Sequence, residues 1–231
     1  MLTSLIIAGI IGYILGSLPF GYLVARSRGV NIFEVGSKNP GATNVRRVLG
    51  NGPGNVVLFL DGLKGAVASG WALLQYTKFG GTEGSSGSTF LNLPVAGEAW
   101  VTVGVAGLVG ALLGHSFSCF TRFKGGKGVA TGAGGFFVLF PLGMLLSLVL
   151  FLITLAVTRY VSLASILGAV VLPVLAIALH QSTVLVSVTG AVALFVLLRH
   201  RANISRLLAG TESKVGQKPA AAPPPQATPK S

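Results

Sequence analysis

Long apolar runs separated by short basic segments set the layout of this chain. Residues 2–24 carry no charge and end in Gly16-Ser17-Leu18-Pro19-Phe20-Gly21-Tyr22, where proline and glycine loosen a helix, before Arg26 and Arg28 close the run. With no basic leader in front of it, this stretch predicts a retained first span and not a cleaved signal peptide. Gly12 and Gly16 suit close helix packing there. Further apolar runs occupy residues 55–76, 99–114, 128–158, 163–179 and 184–198. The third is short for a hydrocarbon core of about 30 Å. The fourth is long enough to be one kinked helix or two short ones turning at Pro141-Leu142-Gly143.

Charge decides between those two options. A single crossing by residues 128–158 would put Arg159 opposite the central basic loop and send the basic tail outside; two crossings keep every basic segment on one side. The expectation is therefore an all-α polytopic membrane protein of seven transmembrane helices, the N-terminus outside and the C-terminus cytoplasmic, although each half of residues 128–158 is then thin. Residues 78–98 are rich in Gly, Ser and Thr and contain one cation, Lys78, so they read as the opposite side. Residues 199–212 predict an amphipathic helix lying at the interface. Residues 1–212 form one transmembrane domain, and residues 213–231, rich in Ala and Pro, cannot bury a core and predict a disordered cytoplasmic tail.

Composition agrees with that reading. Of 231 residues 52% are hydrophobic and only 10% charged, with a mean hydropathy of +0.78, which is too apolar for an ordinary soluble domain. The formal charge is +12, from 17 Lys and Arg against 5 Asp and Glu. Because these cations flank apolar spans and the aromatics lie within the spans, the balance points to topology and not to nucleic acid. A single cysteine, Cys119, excludes an internal disulfide. A thioester on Cys119 with His115 one turn away is conceivable chemistry; a small residue buried beside Phe117 and Phe120 is the simpler reading.

Candidate chemistry concentrates in four places. Residues 114–131, from Gly114-His115 to Phe123-Lys124-Gly125-Gly126-Lys127-Gly128-Val129-Ala130-Thr131, alternate aromatics, cations and glycines. Glycines around Lys127 free the backbone to turn N–H groups inward while Lys124 and Lys127 bring ammonium groups to one hollow, which suits a phosphate. It is not a Walker A loop, since Thr121 stands where the first glycine would be. Gly36-Ser37-Lys38-Asn39-Pro40-Gly41-Ala42-Thr43-Asn44-Val45-Arg46-Arg47 is dense in hydroxyls, amides and guanidinium groups, and its arginines can fork a phosphate. Asp61 and Lys64 sit one turn apart in an apolar helix, as functional groups at membrane depth or as a pair that satisfies itself. The fourth place is residues 199–212.

These motifs together resemble the bacterial acyl-phosphate:glycerol-3-phosphate acyltransferase family. The likeness covers residues 16–212 and rests on the 36–44 motif, Asp61-Gly62-Leu63-Lys64-Gly65, the 114–131 motif, and Arg199-His200-Arg201-Ala202-Asn203-Ile204 ending at Glu212. It implies a small seven-span inner-membrane enzyme, here a monomer, that moves an acyl group from acyl phosphate to the 1-hydroxyl of glycerol 3-phosphate. The products would be lysophosphatidic acid and phosphate, made without a metal or other cofactor and without direct use of acyl-CoA or acyl carrier protein. By the same resemblance Ser37, Arg47, Lys124 and Asn203 are catalytic. Thr43, Asn44, Lys127, Gly125, Gly126, Ser165, His200 and Glu212 support substrate and phosphate binding, with Asp61 and Lys64 as further candidates. Two departures stand out: Ser118 where members often have proline, and Lys38 where many have glycine.

Residue chemistry fits this independently. No Asp lies five residues after His115, His180 or His200, where Phe120, Leu185 and Ser205 stand, so the acid/base dyad of other glycerol-phosphate acyltransferases is missing. An acyl phosphate is an activated mixed anhydride whose own phosphate can take the hydroxyl proton while cations stabilise the departing group. An anion transporter or channel would use the same cations, but they cluster at one face and no inverted repeat is evident. A membrane protein that only binds partners through its Pro-rich tail would leave the loop motifs unexplained.

Overall fold

Inside a bilayer a backbone must satisfy its own polar groups, so apolar runs of this kind fold as helices. The computed structural model describes residues 1–78 and 98–217, and among those described residues it contains helices and turns but no strand. The expected polar segment at 78–98 lies almost wholly outside the described residues, as does the tail from residue 218.

Helices α1 (Leu2–Ser17) and α2 (Phe20–Arg26) make up the first run, broken at Leu18-Pro19 where the loosening was expected. Short α3 (Ala42–Leu49) follows, then α4 (Asn51–Lys78) and α5 (Glu98–Ser116). A 3-10 turn at Cys119–Thr121 precedes α6 (Val129–Leu139) and α7 (Pro141–Thr158). The long fourth run thus breaks at Phe140, with Pro141 opening α7. Its split is uneven: α6, at 11 residues, rises only about 16 Å at 1.5 Å per residue. Helices α8 (Val161–Ala178) and α9 (Thr183–Arg199) complete the apolar set, and α10 (Arg201–Leu208) turns away from α9 by 61°.

By length and hydropathy, Leu2–Arg26, Trp100–Thr121, Pro141–Thr158 and Val161–Ala178 can each cross a membrane, and the bent α9–α10 pair makes a fifth candidate. Ile6, Ile10 and Ile14 on α1, Phe59 and Val67 on α4, and Leu152, Ile153 and Val157 on α7 lie exposed, as lipid-facing positions must. The protein is an all-helical membrane protein.

Among the described residues, helices meet backbone to backbone at several places. A Cβ at Gly12 or Gly16 of α1 would run into Gly107 O or Ala111 O of α5, and one at Gly65 of α4 into Thr131 O of α6. A larger apolar core joins α5 through α9 around Leu108, Phe136, Phe140, Leu172 and Val192. Helix α3 lies in a stretch whose turn residues predict a loop. Its Ala42, Val45, Val48 and Leu49 form one apolar face, packed on a satellite core of Ala25, Ile32 and Val57. That face leaves Thr43 and Arg47 free to look elsewhere.

Candidate active site

The first wall of the site is built by the 36–44 turn and α3. Gly36 takes φ +59°, and Lys38 takes φ +55°, at the position where glycine is common in the resembled family. Asn44, 2% exposed, is spent on holding this turn: its Oδ1 accepts from Ser37 N at 2.8 Å and its Nδ2 donates to Val35 O at 3.1 Å. Buried amides are costly unless satisfied, and these two bonds let Asn44 fix the Ser37 turn. Ser37 and Thr43 are exposed and, with Arg47, line a large cavity.

The central loop forms the second wall. Ser118 Oγ donates to Ser17 O at 2.6 Å and accepts from Phe120 N, so the hydroxyl that replaces a frequent proline stitches the loop to α1. Arg122 and Phe123 both turn through positive φ. Gly126 N donates to His115 O at 3.0 Å, and that N–H is therefore already spent. Any Cβ at Gly125 or Gly126 would strike His115, while Arg199 Nη2 holds both glycine carbonyls from the other side, at 3.2 and 2.7 Å. Gly128, at φ +81°, then starts α6. Lys127 is brought into the large cavity, but Lys124 is exposed and lines a smaller hollow with Asp61, His115, Ser118, Thr121, Gly125 and Gly126. The single hollow expected for both lysines is thus two, with Asp61 and His115 in the wall between them.

The third wall is α10 and the return after it. Gly210, at φ +68°, turns the chain so that Glu212 comes back under α10. Lys127 Nζ donates to Asn203 Oδ1, Asn203 Nδ2 donates to Glu212 Oε1 at 2.6 Å, and Arg206 Nε pairs with Glu212 Oε2 at 2.6 Å. Arg206, one turn from Asn203 on the same helix face, also lines the cavity and is a candidate that the motifs did not single out; the three-residue spacing is what would have revealed it. Residues 213–217, assigned to the tail on composition, are docked: Val215 N donates to Arg159 O, Val215 O accepts from the Arg159 guanidinium, and Lys214 lies over the Tyr160 ring.

Charge is tuned by these surroundings. Burial, reinforced by Arg206, Arg199 and Arg47 against the pull of Glu212, pushes the Lys127 ammonium down to about 8. Burial and the Lys127 charge push His200 down to about 4. His200 Nδ1 stands 2.8 Å from Val196 O, which can only accept, so Nδ1 carries the proton and Nε2 is left as an acceptor. Burial would raise the Glu212 carboxyl, but hydrogen bonds from Asn203 and Arg206 hold it below the usual carboxylate range.

The large cavity, about 910 Å³, therefore has two ends. Ser37, Thr43, Asn44, Arg47, Lys127, His200, Asn203, Arg206 and Glu212 line the polar one, with Ser165 and Asp61 also on its surface; Phe136, Met144, Leu148, Phe151, Leu172 and Val192 line the apolar one. Ser165 Oγ gives its proton to Val161 O, which leaves it an acceptor. Lys64 lines neither hollow. It is buried against Asp61, at 2.8 Å, and Leu18 O, at 3.0 Å. Cys119, expected to be buried, is exposed at the turn where Phe117 and Phe120 also face outward, because the chain there rides the surface. No three His, Cys, Asp or Glu side chains converge as metal ligands among the described residues. The arrangement can hold an amphiphile whose anionic head meets cations while its chain lies among apolar side chains.

Comparison with known proteins gives a consistent picture. The family model described as glycerol-3-phosphate acyltransferase matches residues 6–210. A curated relative of that description from Rippkaea orientalis is 43% identical over 210 residues, covering 90% of this chain and 92% of its own. One from Desulforamulus reducens is 42% identical over 217 residues, covering 94% and 96%. Two solved structures of PlsY (YgiH), described as an integral membrane glycerol 3-phosphate acyltransferase, share the fold at 34% identity, covering 92% of this chain and 96% of theirs. The glycerol 3-phosphate form gives a TM-score of 0.77 and the lysophosphatidic acid form 0.74.

Proposed function

The chain belongs to the glycerol-3-phosphate acyltransferase family, and from that premise we propose that it draws its acyl group from acyl phosphate and works at the cytoplasmic face of a bacterial inner membrane. It is a membrane acyltransferase of phospholipid biosynthesis that acylates glycerol 3-phosphate. The observation that carries the finer reading is the two-ended cavity: cations and hydroxyls at one end for phosphate, an apolar limb at the other for an acyl chain.

Glycerol 3-phosphate sits with its phosphate toward Arg47 and Lys127, and Ser37, fixed through Asn44, orients it. Asn203 keeps Lys127 and Glu212 apart yet bonded to both, so the cation is aimed and not neutralised. The 1-hydroxyl oxygen attacks the acyl carbonyl carbon. The bond from that carbon to the phosphate oxygen breaks, and the leaving phosphate takes the hydroxyl proton, yielding 1-acyl-glycerol 3-phosphate and phosphate. His200, unprotonated at Nε2 near neutral pH, offers an acceptor to a substrate hydroxyl. Lys124, exposed on the far side of the Asp61–His115 wall, is free to swing toward the departing anion.

Seven crossings, with every basic loop on the cytoplasmic side and the N-terminus outside, keep Arg159, the loops carrying Ser37 and Lys124, and the α10 helix carrying Asn203 in one compartment, and the enzyme acts as a monomer. Purified protein in detergent, given palmitoyl phosphate, should release phosphate only when glycerol 3-phosphate is present and form lysophosphatidic acid in equal amount. Turnover with acyl-CoA alone would overturn the choice of donor.

A further inference from the structure

Asp61 and Lys64 are each about 4% exposed on their side chains and 2.8 Å apart, deep in α4, and neither is needed to explain substrate binding. Three contacts radiate from them. Lys64 Nζ donates to Leu18 O, the carbonyl at the break between α1 and α2, and its ammonium lies 5.5 Å from the centre of the Phe20 ring, the first residue of α2. Helix α2 in turn is pressed onto the Ser37 turn, since any Cβ on Gly21 would run into Pro40 O. On the other side His115 Nδ1 lies 3.5 Å from Asp61 Oδ1. The His115 ring and carbonyl are the surface against which Gly125 and Gly126 are moulded. A continuous path of contacts thus runs from the turn that carries Ser37 to the loop that carries Lys124 and Lys127, and the ion pair stands at its middle.

Resting on the function proposed above, we propose that Asp61 and Lys64 are positioning residues that set the spacing between the two substrate-binding loops, acting through Leu18 and His115 even though Asp61 also borders both hollows. Breaking either member leaves a buried charge without its partner, so the singles alone could fail by misfolding. A doubly neutral variant, Asp61→Leu with Lys64→Met, removes that charge while freeing the break at Leu18.

The test places spin labels at Glu34→Cys and Phe120→Cys, both exposed, in a Cys119→Ser background, and measures their distance distribution beside steady-state kinetics. With the pair intact the distribution should be narrow. Asp61→Asn, Lys64→Met and the double variant should each broaden or displace it, and kcat/KM for glycerol 3-phosphate should fall about a hundredfold, the loss expected of roughly 1 Å misplacement. The double should be no worse than either single, since one coupling is lost in all three. An unchanged distribution with lost activity would overturn the proposal in favour of direct substrate contact. A broadened distribution with full activity would overturn it as well. So would failure of all three variants to accumulate in the membrane, which would make the pair a folding requirement. If the unsubstituted protein does not acylate glycerol 3-phosphate, the functional reading fails on its own, while the distance distributions still judge the coupling.

Discussion

Lys127 offers a test in which activity and stability should move in opposite directions with pH. Its ammonium falls from the ordinary 10.5 to about 8 because burial and the neighbouring arginines disfavour the charge, while Glu212 only partly compensates. If protonated Lys127 binds the phosphate of glycerol 3-phosphate, kcat/KM should fall about tenfold for each pH unit above 8, since that ratio reports the free enzyme. The limb in kcat should appear at higher pH, because a bound phosphate favours the charged lysine. Stability has the other sign. Between about 8 and 10.5 the unfolded chain holds a proton on this lysine that the folded one has lost, so unfolding free energy should rise with pH across that window. The full 2.5-unit difference corresponds to about 3 kcal/mol. Initial rates at varied glycerol 3-phosphate and thermal unfolding in the same detergent, each from pH 6.5 to 10, would measure both. Lys127→Arg, which stays charged throughout, should remove the limb near pH 8 whatever its absolute rate. A limb that survives in Lys127→Arg would assign the titration to another group and refute the role given to Lys127.

Other outcomes follow from the same geometry. Arg47→Ala should lower kcat/KM roughly a hundredfold with unchanged expression, as expected for a charged donor aimed at phosphate, and a phosphate-release assay checks it. Gly126→Ala drives a methyl into the His115 ring and should cost about 1–3 kcal/mol together with activity. Gly70→Ala, whose Cβ meets only Val138 at 4.0 Å, should instead leave or slightly raise the melting temperature. Cys119→Ala should retain most activity, because the exposed thiol lies outside the cavity and direct transfer needs no acyl-enzyme. Truncation after Gln217 should be silent in a thermal melt; truncation after Ser213 should lower the transition, since it removes Val215 from Arg159.

Much of this was legible in residue pattern, for reasons that differ from element to element. The apolar runs announce their helices because lipid leaves the backbone no alternative, and Pro19 and Pro141 mark the breaks because proline withholds a helical donor. Helix α3 was hidden: Gly41 and Asn39 advertise a turn, and eight residues are too few for periodicity to outweigh them. In the site, side-chain type pointed to phosphate chemistry, but three-dimensional closure decided who faces whom. Lys124 and Lys127 are three residues apart yet line different hollows, because Gly125 and Gly126 are clamped between His115 and Arg199. Asn44, expected to help bind substrate, lines the cavity and also braces the turn, a second task that only its two backbone partners reveal. Cys119 reads as buried by the company of Phe117 and Phe120, yet aromatic neighbours at a membrane surface face outward.

A cavity that is ionic at one end and hydrocarbon at the other would, on the proposed function, draw its two substrates from different phases. On the proposed function, glycerol 3-phosphate arrives from water and is counted in moles per litre, whereas an acyl-phosphate donor would reach the apolar limb from lipid and be counted as a mole fraction of the surface. Adding inert detergent at constant donor would then slow the reaction by dilution alone, and a Michaelis constant for the donor quoted per volume would describe the micelle as much as the enzyme. With the proposed seating, the product would be born already oriented, its chain among Phe136, Met144 and Leu172 and its phosphate beside Arg47 and Lys127, so its route out would be sideways into the leaflet where the next acylation would find it.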